Sequence, residues 1–189
     1  MIRVLIGSVL AAIAMFVWGW LYWGVIGMVV MPYNSVPAES EAAIVEALKA
    51  GLPETGIYLY PMPEDLSDVE QQAAWNEKHL AGPLFEVNYL SEGRDPMAAS
   101  MFGGGFAHMF LTALLISCVI GRAKSFGCRF GTVIALAVIS AFWIDVGKII
   151  WFYHPISFEV FNLIYHVSGL LIGGAILAGI VRPATPKES

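Results

Sequence analysis

The chain reads as a membrane all-α protein: a bundle of four transmembrane helices with a small α+β extracytoplasmic insert. Three observations predict this class. Apolar runs cover residues 4–31, 102–120, 130–152 and 158–181, close to or beyond the roughly 20 helical residues that cross a hydrocarbon core. The runs are continuously apolar rather than alternating, which selects helices over barrel strands. The composition, 58% hydrophobic against 13% charged with a mean hydropathy of +0.70, lies far from that of soluble chains. The expected organisation is helix one over 1–31, an insert over 32–101, and helices two to four with a tail over 102–189.

Helix one is about twice as long as a signal-peptide core, and no small-x-small cleavage pattern follows it, so it is expected to be retained. Trp18, Trp20, Tyr22 and Trp23 sit near its far end, where an aromatic belt belongs. Basic residues set the orientation. Arg122, Lys124 and Arg129 fall between helices two and three, Arg3 precedes helix one, and Arg182 and Lys187 lie in the tail. The insert holds 12 of the 15 acidic residues against Lys49, Lys78 and Arg94. Cytoplasmic termini and a periplasmic insert, in a bacterial inner membrane, follow from the positive-inside rule. That topology and the acidic insert exclude a nucleic-acid partner. Cys118 and Cys128 fall on the cytoplasmic side, so no disulfide is expected, and their spacing makes no metal motif.

Within the insert, residues 37–50 read as a helix stopped by Gly51, and residues 55–60 as a strand of β-branched and aromatic residues. A second helix is expected from Pro63 to Leu80, with Glu64, Asp65 and Asp68 in its early turns and Gly82-Pro83 ending it. Residues 84–90 alternate as a half-buried strand. Tyr58, Tyr60, Trp75 and Tyr89 are candidates for a core or for a docking surface, because two strands and two helices make a thin core for about 70 residues.

The stretches PETGIYLYP and WNEKHLAGPL, followed by glycines leading into helix two, resemble a family of small four-helix bacterial inner-membrane proteins with an insert between helices one and two. The resemblance spans most of the chain. It implies the topology and no reaction.

Ionisable residues inside apolar helices are costly and therefore candidate functional groups. At 1.5 Å per residue, His108 lies about 9 Å below the outer surface, Asp145 about 10 Å, Lys148 about 6 Å and His166 about 12 Å. His154, Glu159 and Asn162 are shallower. Three uses suit such a layer. His108 and His166 could ligate a haem b axially, with Gly103, Gly104, Gly105 and Gly169 admitting the macrocycle. His108, Asp145 and His166 could form a two-histidine, one-carboxylate metal site for a transition metal such as iron or zinc, or for copper with Met97, Met101 and Met109. In a structural use, Asp145 and Lys148, three residues apart, form an intramembrane ion pair and the histidines bond across helices.

Gly169 and Gly173 form a GxxxG helix-packing motif, facing Gly19, Gly24 and Gly27 of helix one or a second subunit. The glycines 103–105 read as a flexible entry to helix two that permits close backbone contact or a bend. No Ser-His-Asp set, Walker sequence or nucleotide fingerprint is present. The expected function is a non-catalytic integral protein of the lipid bilayer, an accessory, structural or assembly subunit working with membrane-protein partners. A haem- or metal-binding redox protein, and a small transporter or membrane enzyme, are the alternatives.

Overall fold

Four long helices carry the apolar runs. The computed structural model describes residues 2–30 and 32–182. It divides into two units, residues 1–34 with 97–189, and residues 35–96. In the first unit α1 (Ile2–Val30), α4 (Ala99–Ile120), α5 (Phe126–Phe152) and α6 (Ile156–Ile180) are each long and apolar enough to cross a membrane. The second unit contains α2 (Ala38–Gly51), β1 (Gly56–Tyr60), α3 (Val69–Ala81) and β2 (Phe85–Tyr89).

In the helical unit α1 packs against α4 and α6, and α6 packs against α5. Small side chains line these seams: Ala11, Ala12, Ala113, Ala137, Ala141 and Ala178 are buried, so the backbones approach closely. Some large side chains fill the core, Ile120 and Leu177 among them, but many point outward, with Ile139, Trp143 and Trp151 among the most exposed. Helices apolar on every face are the pattern of an element surrounded by apolar material. The tightest approach is α6 on α5, where a Cβ on Gly174 would meet Val133 Cγ1 at 2.1 Å.

The glycines before helix two are not a flexible lead-in. Gly103, Gly104 and Gly105 lie inside α4. Gly105 offers a flat patch to Phe16, whose ring sits edge-on to Phe102 and Phe106 at 6.5 and 6.1 Å. Two helices carry a π-helical turn, Tyr22–Ile26 in α1 and Phe142–Val146 in α5. Such turns widen the helix by one residue and rotate the side chains beyond them.

In the second unit the strands pair antiparallel, with Tyr58 opposite Val87 and Tyr60 opposite Phe85. Tyr60 and Phe85 stack at 5.0 Å, and Tyr58 lies edge-on to Tyr89 at 6.5 Å. Helix α3 begins at Val69, later than the expected Pro63. The side chains before it favour turns. Asp65 Oδ1 accepts from the backbone and hydroxyl of Ser67, and Gln71 Oε1 accepts from the backbone N–H groups of Glu64 and Asp65. Asp68 then caps the helix by accepting from Glu70 and Gln71. Gly82, at φ 65°, ends it in a conformation that suits glycine. Among the described residues of 35–96, Pro61 is the single buried one, with its carbonyl accepting from Trp75 Nε1 at 3.0 Å.

Candidate functional site: a cleft shared by four helices

All four long helices contribute to one cleft of about 290 Å³. Helix α1 supplies Met15, and α4 supplies His108, Met109 and Thr112. Helix α5 adds Ser140 and Ile144, while α6 adds Tyr165, His166 and Gly169. Thr112 and Ser140 satisfy their hydroxyls within their own helices, donating to the carbonyls of His108 and Ala137. This leaves the cleft mostly apolar, with two imidazoles and a phenol as its distinctive groups.

His166 is held from behind. Its Nδ1 lies 2.8 Å from Asp145 Oδ2, and Asp145 is fully buried. A carboxylate that accepts Nδ1–H fixes the tautomer and plane of the ring and turns Nε2 outward. Nε2 has no hydrogen-bond partner among the described residues, and the His166 side chain is 38% exposed. Asp145 Oδ1 is buried without a hydrogen-bond partner among the described residues, so His166 is the group that stabilises the carboxyl.

The expected Asp145–Lys148 ion pair does not form among the described residues. Asp145 lies inside the π-helical turn Phe142–Val146, and the widened turn aims its side chain at α6 instead of along α5. Lys148 is half-buried one turn later. His108, Asp145 and His166 are likewise not gathered as a ligand set. No group of three His, Cys, Asp or Glu among the described residues is placed to hold a metal ion. His108 reaches the same cleft as His166 but is exposed on α4, whereas Asp145 is consumed by the His166 Nδ1 bond.

A second histidine–carboxyl pair lies in the turn between α5 and α6. His154 Nδ1 sits 2.5 Å from Glu159 Oε1, and Asn162 Nδ2 donates to Glu159 Oε2 at 3.3 Å. Glu159 is fully buried in the first turn of α6, where the helix dipole favours a negative charge. Both its oxygens are partnered, which makes it a staple for the turn. Tyr22, at the π-helical turn of α1, adds a third cross-link by donating to the Phe161 carbonyl at 2.8 Å.

Arg129 departs from its expected place as a loop cation. It lies in the first turns of α5, 5% exposed. Its Nε donates to the Ala178 carbonyl at 2.8 Å, and one terminal nitrogen donates to the carbonyls of Ala123 and Lys124 at 3.0 and 3.2 Å. Ala178 is in the last turn of α6, where carbonyls lack helical partners. The planar guanidinium therefore ties α6 to the α4–α5 linker.

Gly169 and Gly173 both face α1. A Cβ on Gly173 would meet Met15 Sδ at 2.7 Å, and one on Gly169 would meet Trp18 Cδ1 at 3.4 Å. Their partners are thus side chains of helix one and not its glycines.

No protein-family model matches the chain, and no curated protein or solved structure matches it.

Proposed function

We propose that this is an integral protein of a bacterial inner membrane, with cytoplasmic termini and a periplasmic insert, serving as an accessory, structural or assembly subunit of a larger membrane complex. Membrane embedding is supported by four helices of 22 to 29 residues, many of whose large apolar side chains face outward. Orientation is supported by the basic linker and the acidic insert.

The observation that carries the partner role is the surface of residues 35–96. This unit buries Pro61 alone among its described residues, yet Ile57, Val69 and Leu80 are 67%, 78% and 89% exposed. Ile57 and Leu59 share the strand face opposite Tyr58 and Tyr60. A small unit with so little core is marginal on its own, and a partner covering these exposed side chains would add burial.

Blue-native electrophoresis in mild detergent tests the proposal. The chain should run in a band heavier than its 20.5 kDa mass and its detergent belt. Replacing Ile57 and Leu59 together by Asp should release it to the monomer position. A wild-type chain that runs as a lone monomer contradicts the proposal. A redox or ligand-binding reading is the second, favoured by the cleft and its carboxyl-backed His166.

A further inference from the structure

We infer that the four-helix cleft binds the ring of a lipid-soluble quinone. This inference concerns the helical unit and stands apart from the assembly role proposed for residues 35–96.

Access and size both suit such a ring. The cleft lies within the bundle of apolar helices and reaches its surface, since His108 lines it and is exposed. A ligand dissolved in hydrocarbon can enter there, with an apolar tail left outside. The volume of about 290 Å³ falls just below the range of drug-sized pockets, roughly 300–1,000 Å³, which suits one substituted ring rather than a larger ligand.

The wall of the cleft suits a flat ring. Met15 and Met109 line the cleft, and polarisable thioethers make favourable contacts with flat π systems.

The imidazole discriminates between head groups. His166 lines the cleft, and with Asp145 holding Nδ1 at 2.8 Å its Nε2 is the ring nitrogen left for a ligand. A neutral imidazole held this way accepts a hydrogen bond at Nε2, and a protonated one donates there. The same nitrogen therefore recognises a ring hydroxyl and a ring carbonyl, the two oxygen states of a quinol and a quinone. A fatty-acid carboxylate or a lipid ester presents acceptors alone and needs only a fixed donor. His166 is a binding residue here, and Asp145 a positioning residue.

The full chain in mild detergent is titrated with ubiquinone-1, with quenching of tryptophan fluorescence as the readout. Trp18 lies against Gly169, which lines the cleft. Saturable quenching is expected, weakened about tenfold or more by His166→Ala. Thr112→Phe fills the cleft without touching the Asp145–His166 pair and should abolish saturation. Circular dichroism verifies that each variant keeps its helices, and Thr112→Phe decides alone if His166→Ala loses them. Quenching that rises linearly, or that is unchanged in Thr112→Phe, overturns the inference by showing partition into detergent. Oleate displacing ubiquinone-1 at lower concentration than a second quinone, menadione, overturns it in favour of an acyl-chain site.

Discussion

Asp145 and His166 lie on neighbouring helices and share one hydrogen bond of 2.8 Å across the helical unit. The carboxyl is fully buried and its second oxygen has no partner among the described residues. The pair therefore joins α5 to α6 and orients the imidazole over the cleft with a single contact.

Removing that contact should be felt as instability. His166→Ala leaves a buried carboxyl with neither oxygen bonded, a cost of about 1–3 kcal/mol. The double change Asp145→Leu with His166→Ala removes both polar groups and should recover part of the loss. Thermal unfolding of the purified chain in detergent checks the order wild type, double variant, single variant. Equal melting temperatures for all three would remove the pair from the account of stability.

Glycine substitutions should separate two helix faces. Gly174→Ala drives a Cβ to 2.1 Å from Val133 Cγ1, and a β-branched side chain in a helix has little freedom to move aside. Overpacking of this kind costs about 1–3 kcal/mol. Gly131, on the same α5–α6 pair of helices, has nothing within 4 Å of its would-be Cβ. Gly131→Ala should be neutral or stabilise by up to about 1 kcal/mol through helix propensity. Chemical unfolding of the two variants side by side measures the difference.

Arg129 should not tolerate lysine. Its Nε and terminal nitrogen serve three carbonyls in two directions, which an ammonium point charge cannot reproduce. Arg129→Lys should lose roughly 1–3 kcal/mol. Faster hydrogen exchange at the end of α6 should accompany the loss, and unchanged protection there would argue against the tie.

Acid should loosen the start of α3. The Asp68 carboxyl is held below its ordinary value, chiefly by the backbone N–H of Gln71, then by the Gln71 amide and the Glu70 N–H. A depressed carboxyl contributes stability that is present above its unfolded value, near 3.9, and is lost as pH falls through the folded value. Exchange at Glu70 and Gln71 should therefore accelerate below about pH 4. Asp68→Asn, which still caps but does not titrate in this range, should flatten the response.

The four long helices are legible because each apolar run is continuous and of spanning length. The glycine and proline stops of the insert are legible too, and both strands lie within the runs that alternate or carry aromatics. What the residues alone do not reveal is rotation. His108, Asp145 and His166 stand out as ionisable groups in apolar runs, but a partner depends on which way each side chain points. The π-helical turn at Phe142–Val146 changes that direction for Asp145. Its sequence FWIDV carries no proline or glycine to announce it. The same applies to Arg129, whose basic neighbours Arg122 and Lys124 invite a loop reading while its own side chain turns inward. At α3 the aspartates 65 and 68 are ambiguous, since acids early in a helix and acids capping a turn look alike in one sequence. The hydrogen bonds from Ser67 and Gln71 decide for the turn.

The most direct test of the central claim, that the chain works as a subunit, is native mass spectrometry of the untagged protein extracted in mild detergent from its own membranes. The expected result is a particle heavier than 20.5 kDa that contains at least one other membrane protein in fixed stoichiometry. A bare 20.5 kDa chain, recovered intact and alone, would contradict it.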